Sequence, residues 1–290
     1  MRNVGLIRKG ERAFRFASIL WRGRNREDRQ AAGGGYCMTD KIIDFHNHIF
    51  PDKIASKVVN QLGNYYHYEM QGTAQIDNLL RLSHEAGMYK LVVHSTATKV
   101  EQVEHINSYL GEVVREQKGY FIGFGTLHPD YDEIESELDR MEKLGLKGLK
   151  FHPDFQHFEI DCDKMFRIYD MVGSRFPILM HVGDETYDYS SPKRMRRAVD
   201  NFPDVTFIAA HFGGYSRWDE AYEYLAGQNL YFDTSSSLDK LSDQDAMKMI
   251  HKHGADKMLY ASDYPIITHS HCLERFLQLP LSEEERDMIL

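Results

Sequence analysis

The sequence predicts an α/β fold of the TIM (β/α)₈ barrel type, in which eight parallel strands alternate with helices. From Ile42 onward, a short apolar run that ends in a polar residue alternates eight times with an amphipathic helical pattern. Residues 38–290 also have the size of such a barrel, roughly 250 residues. The first run ends in His46-Asn47-His48, not in the glycine-rich phosphate turn that is typical of a doubly wound sheet.

The eight strand-like runs share a short length and an enrichment in apolar, β-forming residues. They are Ile42–His48, Leu91–Thr96, Phe121–His128, Leu146–His152, Pro177–Val182, Val205–His211, Leu230–Thr234 and Lys257–Asp263.

Helical patterns lie between these runs, with apolar residues at helical spacing. They cover Val100–Lys118, Tyr131–Leu144, Cys162–Ser174, Pro192–Asn201, Trp218–Ala226 and Asp239–His251. Gly145 is a C-cap signal for the second of them, and Ser282 with Glu285 predicts a capping box at the start of the last helix. The irregular stretch Asn64–Thr73 is a candidate flap over the barrel mouth.

The first 37 residues differ from the rest of the chain in charge. They hold nine arginine and lysine residues against three acidic ones, although the whole chain has a net charge of −9. Two interpretations stay open, a targeting presequence and an over-extended reading frame with translation starting at Met38. Either way we expect residues 1–37 to be disordered or untranslated, and residues 38–290 to form a single barrel domain.

Composition excludes several classes of function. The negative net charge argues against nucleic acid as a partner, and the absence of a long apolar run argues against a membrane span. The three cysteines, Cys37, Cys162 and Cys272, are odd in number and far apart, so we expect no disulfide framework and a reducing, cytoplasmic location.

Polar residues stand at or near the ends of all eight predicted strands, where TIM barrels carry their active sites. They are Asp44, His46, His48, His94, His128, Lys150, His152, His181, His211, Asp233 and Asp263. One histidine at a strand end is more often a packing residue than a ligand. The same placement on several independent strands indicates a common site.

The His46-Asn47-His48 spacing has a direct physical meaning. Residues two apart on a strand face the same side, roughly 6.6–6.8 Å apart at Cα, so both imidazoles reach one ion at ~2.0–2.1 Å. Imidazole with carboxylate suits zinc, iron, nickel or manganese better than calcium or magnesium. With His181 and Asp263 as further ligands, we expect a catalytic site that holds zinc, or alternatively manganese or another transition metal.

Five motifs together resemble the amidohydrolase superfamily, in the branch that includes aminocarboxymuconate-semialdehyde decarboxylase, over about residues 40–290. They are Ile43–His48, Gly148–Pro153, Leu179–Gly183, Ala210–Gly214 and Ala261–Pro265. The resemblance implies that His46, His48, His181 and Asp263 bind the metal and that Asp263 is also the general base. It implies that His211 binds a second metal, or polarises the substrate and positions water.

Other candidates keep two interpretations each. Lys150 is either a carboxylated bridge between two metals, as in binuclear members, or a lysine paired with Asp44 or Asp233, with His152 as a substrate contact. Arg217 either holds a substrate carboxylate or starts a surface helix. His128 is a candidate pocket residue, whereas His269 and His271 are expected at the surface.

The predicted function is that of a metal-dependent hydrolase using a metal-activated water on a C–N or C–O bond of a small molecule. The alternative is a non-oxidative decarboxylase or hydratase of an unsaturated or aromatic carboxylic acid. A third hypothesis is a non-catalytic barrel that keeps its metal site. A homodimer is expected by analogy, and the end of the chain at Leu290, inside a helical pattern, is expected to weaken barrel closure.

Overall fold

Eight parallel strands form one sheet in chain order in the computed structural model, which describes residues 41–290. Each strand pairs with the next one along the chain. The strands are β1 Ile42–His48, β2 Met88–His94, β3 Phe121–Gly125, β4 Gly148–Phe151, β5 Ile178–Met180, β6 Phe207–Ala209, β7 Tyr231–Asp233 and β8 Met258–Leu259. The predictions for residues 1–37, including Cys37, lie outside the described residues.

Backbone hydrogen bonds join the last strand to the first. The N–H of Phe45 donates to the carbonyl of Tyr260 at 2.9 Å, and the N–H of Asp263 donates to that of His46 at 3.0 Å. At the other end of β1, the N–H of Ile43 donates to the carbonyl of Leu290 at 2.9 Å. The TIM-barrel prediction is therefore confirmed, and the expected weakness at the seam is not observed.

Eleven α-helices surround the sheet within the described part of the chain. They are α1 Asp52–Tyr66, α2 Ile76–Glu85, α3 Val103–Glu116, α4 Ile134–Leu144, α5 Pro153–Gln156, α6 Asp163–Val172, α7 Pro192–Asn201, α8 Trp218–Tyr224, α9 Asp243–His253, α10 His269–Leu277 and α11 Glu283–Ile289. Both predicted caps form: Gly145 ends α4 in the left-handed conformation, and Ser282 and Glu285 close a capping box on α11.

Seven of the eight strands end earlier than their hydrophobic patterns predict, and β1 ends at His48 as predicted. His211 was predicted to end the sixth strand, but its φ is 61° and β6 ends at Ala209. Asp263 was predicted to end the eighth, but its φ is 71° and β8 ends at Leu259. A positive φ is uncommon for residues other than glycine and cannot continue a β-ladder, so both residues turn at the barrel mouth.

The hydrophobic core lies between the strands and the surrounding helices. Leu91 of β2, Phe207 of β6, Leu110 of α3 and Ile168 of α6 are fully buried in it. Burying one such side chain contributes about 1.5–3 kcal/mol, so the core fixes the strand ends that carry the site. Among residues 41–290, every helix falls short of the length and apolar character that crossing a membrane requires.

Candidate metal centre

Three ligand atoms from β1 and the residues after β8 converge at the barrel mouth. Nε2 of His46 lies 3.2 Å from Nε2 of His48 and 3.3 Å from Oδ1 of Asp263, and Nε2 of His48 lies 3.4 Å from the same oxygen. In a tetrahedral site with metal–ligand bonds of ~2.0–2.1 Å, two ligand atoms are about 3.3 Å apart. The three atoms therefore have the spacing of one face of such a tetrahedron, and the residues fit a metal ion.

Asp233 at the end of β7 orients the His46 ring. Nδ1 of His46 donates to Oδ2 of Asp233 at 2.8 Å, and Oδ1 of Asp233 accepts the backbone N–H groups of His211 at 2.8 Å and Ser235 at 3.1 Å. With its proton on Nδ1, His46 presents the lone pair of Nε2 to the other two ligand atoms. A carboxylate behind a ligating histidine fixes the tautomer in this way in metal sites generally.

Burial and local charge set the protonation states that a metal requires. Burial lowers the pKa of His46 and of His48, so both imidazoles are neutral at pH 7 and able to ligate. Burial alone would raise the pKa of Asp263, but His46, His48 and His211 around it hold that pKa well below its usual range. Asp263 is therefore ionised, and Ser236 Oγ donates to its Oδ2 at 2.6 Å.

His181 and His211 lie beside this triangle and contact each other. Nδ1 of His181 lies 2.9 Å from Nε2 of His211, and Nε2 of His181 lies 2.7 Å from the carbonyl of Gly183. Nδ1 of His211 lies 3.8 Å from Oδ2 of Asp263. The structure thus brings both predicted residues to the site, and coordination by His181 stays a prediction because both its ring nitrogens have partners here.

His94 is a site residue for which sequence analysis predicts no role beyond its place at a strand end. It is fully buried, and its ring centre lies 4.7 Å from that of His46 and 4.5 Å from that of His48. The ligand atoms of the three histidines all lie within 4.8 Å of one another. Burial lowers the pKa of His94 well below its ordinary value, so this third imidazole is neutral too.

Lys150 lies inside the same cluster. Its Nζ is 3.2 Å from Nε2 of His46, and burial lowers the pKa of its amine to about 8. Asp44 and Asp233 form no direct ion pair with this amine, whose nearest partner is the His46 imidazole, although the charge of Asp233 raises its pKa against the effect of burial. An amine with a lowered pKa next to the metal ligands keeps the carboxylated bridge open as a prediction.

His152 belongs to a second group of potential ligands, with Asp154 and His181, whose ligand atoms also lie within 4.8 Å of one another. The rings of His152 and His181, however, are stacked at 3.9 Å with an angle of 12° between their planes. An ion cannot lie in both of two parallel ring planes, where the lone pairs point. His152 instead forms a wall of the site, with its Nε2 2.9 Å from the hydroxyl of Tyr66.

Two predicted candidates, Arg217 and His128, contact other groups than the metal ligands. Arg217 donates to Glu220 and to Asp188, at 2.8 Å each, and so acts at the start of α8 as a surface residue. His128 accepts the backbone N–H of Asp130 at 3.2 Å and lines a separate pocket with Lys164.

His269 is buried, so its predicted surface position is wrong. Its Nε2 lies 2.8 Å from Oδ1 of Asn47 and 3.5 Å from Oδ2 of Asp44. The segment after β8 folds back so that α10 packs against α2, and this long-range packing is invisible in the local pattern. His271 is exposed as expected and pairs with Asp239 at 2.9 Å.

A small chamber of about 20 Å³ opens above the ligand triangle. It is lined by His48, Leu62, Tyr66, His152, Phe155, His181, His211, Tyr215, Asp263, Pro265 and Ile266. This lining contains no lysine or arginine. A reacting molecule would therefore meet imidazole, carboxylate and phenol groups and apolar walls.

Comparison with known proteins agrees with the barrel fold. The family model described as amidohydrolase matches residues 43–290. The chain belongs to the amidohydrolase family. Members of this family are enzymes, and the match covers every residue of the metal centre described above. No curated protein sequence matches the chain closely enough to count as a relative.

Solved structures share the fold at low sequence identity. An uncharacterised TIM-barrel protein from Bordetella bronchiseptica aligns with a TM-score of 0.70 and 18% identity, over 86% of this chain and 95% of the other. A dihydroxybenzoic acid decarboxylase from Polaromonas sp. JS666, solved with manganese and 2-nitroresorcinol, gives 0.66 and 18%, over 86% and 94%. A probable 2-pyrone-4,6-dicarboxylic acid hydrolase from Acinetobacter baumannii gives 0.64 and 14%, over 86% and 96%.

Proposed function

We propose that this amidohydrolase-family chain is a metal-dependent hydrolase that acts on a C–N or C–O bond of a small molecule. The observation that carries the proposal is the triangle formed by Nε2 of His46, Nε2 of His48 and Oδ1 of Asp263. Its donor set favours zinc, and the manganese in one similar barrel makes manganese the alternative. His181 is the fourth ligand of the proposal.

A divalent metal bound there supplies a Lewis acid and lowers the pKa of a coordinated water. Asp263, ionised and held by Ser236, is the residue that takes the proton from the attacking water and returns it to the leaving group. His211, within 3.8 Å of Asp263, faces the same space and positions the water or the scissile carbonyl.

The lining of the chamber favours a hydrolase over a lyase for carboxylic acids. A decarboxylase must hold a substrate carboxylate, and a bidentate arginine is the side chain best suited to this task. Arg217, the predicted anchor, is instead paired with Asp188 and Glu220, and the chamber lining has no other cationic side chain of lysine or arginine. A neutral amide, ester or lactone suits such walls better.

A decarboxylase or hydratase is the second candidate function. The observation in its favour is that a similar barrel is named as a decarboxylase of an aromatic acid and was solved with a phenolic inhibitor. The same residues would serve, with Asp263 or His211 moving the proton. A cytoplasmic location and a homodimer belong to the same proposal, and size-exclusion chromatography with light scattering measures the latter.

Incubation of the metal-loaded full chain with amides, lactones and aromatic carboxylic acids in ¹⁸O-water separates these functions. The hydrolase proposal expects one ¹⁸O atom in a product acid, detected by mass spectrometry, and loss of this product in Asp263→Asn. Release of carbon dioxide from an acid, without ¹⁸O in the remaining organic product, would replace the hydrolase with the lyase. Metal binding without turnover of any class would support a non-catalytic barrel.

A further inference from the structure

We propose that His94 of β2 is a ligand of the metal ion held by His46, His48 and Asp263. The inference rests on the proposed metal centre and adds to it a residue outside the ligand set expected from the sequence. Three independent features of His94 support it: its position in the strand register, its unpartnered ring nitrogens and the orientation of its ring.

The register of the sheet places His94 next to His48. In the parallel pair of β1 and β2, His48 is the partner of His94 at the last position of the ladder. Partners in neighbouring strands have their side chains on the same face of the sheet. His94 therefore faces the barrel interior at the level of His48, and its ligand atom lies within 4.8 Å of those of His46 and His48.

Neither ring nitrogen of His94 has a hydrogen-bond partner, although the side chain is 0% exposed. Buried polar groups are satisfied in the great majority of cases, and an exception calls for a missing partner such as an ion. His181 differs in this respect, because Gly183 and His211 occupy its two nitrogens. Among His46, His48, His94 and His181, His94 is thus the imidazole with no hydrogen-bond partner at either ring nitrogen.

The ring planes are compatible with a shared ion. The plane of His94 makes angles of 75° with that of His46 and 85° with that of His48, so in-plane lone pairs of all three rings can meet at one point. His94 is not among the residues that line the chamber. From this position His94 is better placed to bind the metal from inside the barrel than to contact the substrate.

The test compares metal affinities of phenylalanine variants of the full-length chain, because phenylalanine keeps the ring and removes both nitrogens. Apo wild type, His94→Phe, His48→Phe and His128→Phe are titrated with zinc in competition with a chromophoric chelator. His128 is the matched control, a buried histidine after β3 that lies away from the centre. We expect zinc affinity to fall roughly 100-fold or more in His94→Phe and His48→Phe, and to stay within about threefold in His128→Phe.

Copper loading gives a second readout, because pulsed electron paramagnetic resonance counts the imidazoles bound to Cu²⁺. The Cu²⁺ site of His94→Phe should contain one coordinated imidazole fewer than that of the wild type. If thermal unfolding shows that the phenylalanine variant is not folded, His94→Gln is measured in its place. If His94→Phe and His94→Gln keep the zinc affinity and the imidazole count of the wild type while His48→Phe binds zinc more weakly, the role of His94 is overturned and the proposed metal centre still stands. A wild-type chain that binds neither ion would overturn both proposals.

Discussion

Replacing Asp233 with asparagine tests whether the residue behind the metal ligands controls metal binding. The backbone N–H groups of His211 and Ser235 lie 2.8 and 3.1 Å from Oδ1 of Asp233. In the variant they will donate to the amide oxygen of the asparagine and so fix the orientation of its side chain. Its NH₂ group then faces Nδ1 of His46, where Oδ2 accepted a hydrogen bond at 2.8 Å. His46 must move its proton to Nε2, the atom that belongs to the ligand triangle.

The expected result is a loss of metal affinity at the upper end of the range for such supporting residues. Their removal typically costs roughly 10–100-fold, which is about 1.4–2.8 kcal/mol, and the reversed tautomer adds to the loss. Zinc titration against a competing chelator measures the affinity, and thermal unfolding of the apo protein shows whether the barrel is intact.

Asp184→Asn is the matched control for this substitution. Asp184 is also buried and also accepts backbone N–H groups, those of Thr186 and Tyr187, but its side-chain partner is Tyr65 and not a ligand of the triangle. We expect its zinc affinity to stay within about twofold of wild type. A Asp233→Asn protein that is folded and binds zinc as tightly as wild type would refute the role assigned to Asp233.

Four further outcomes follow from the site and the core. Asp263→Asn should lower kcat at least ~100-fold and lose far more activity than metal, because an amide cannot serve as the base; unchanged turnover would remove Asp263 from the mechanism. His181→Ala should lose metal and activity while circular dichroism still shows a folded barrel, and full metal content would show that His181 is not a ligand. Arg217→Ala should keep kcat/KM within about twofold, since its partners are Asp188 and Glu220, and a large rise in KM for acidic substrates would contradict this. Burial lowers the pKa of His253 and of His269 from 6.5 to about 4, so the unfolded chain takes up these protons first and the contribution of each histidine to the free energy of unfolding of the apo protein should fall between pH 6.5 and 4, by on the order of 3 kcal/mol. Because burial raises the pKa of Asp44 and of Asp154 to about 7 and these groups act in the opposite direction, the check compares urea unfolding of the wild type, His253→Phe and His269→Phe at several pH values; the same pH dependence in all three proteins would show that the two rings are not buried neutral.

The barrel and the metal triangle could be predicted from the sequence because their signals are local. The spacing of His46 and His48 fixes a common face, and the position of Asp263 just after the eighth apolar run indicates a common rim, once eight strand–helix units are recognised. The helix caps at Gly145 and Ser282 are local signals as well, and both form.

The features that sequence patterns missed depend on contacts between distant segments. The ring nitrogens of His94 are unpartnered in the packing of β2 beside β1, where no donor or acceptor reaches the ring. His269 is buried because α10 folds back against α2. Arg217 follows the sixth strand at the rim that carries the site. It pairs there with the carboxylates of Asp188 and Glu220, and the periodicity of the sequence does not reveal these contacts.

The metal content of the full chain, measured by elemental analysis after purification without added metal, tests the central claim most directly. The triangle of His46, His48 and Asp263 predicts about one transition-metal ion per chain, removed by a chelator and lost in His48→Phe. A value close to two would require a bridging ligand and point to a carboxylated Lys150 next to His46. A chain that contains no metal and takes none up on incubation with zinc or manganese would contradict the claim.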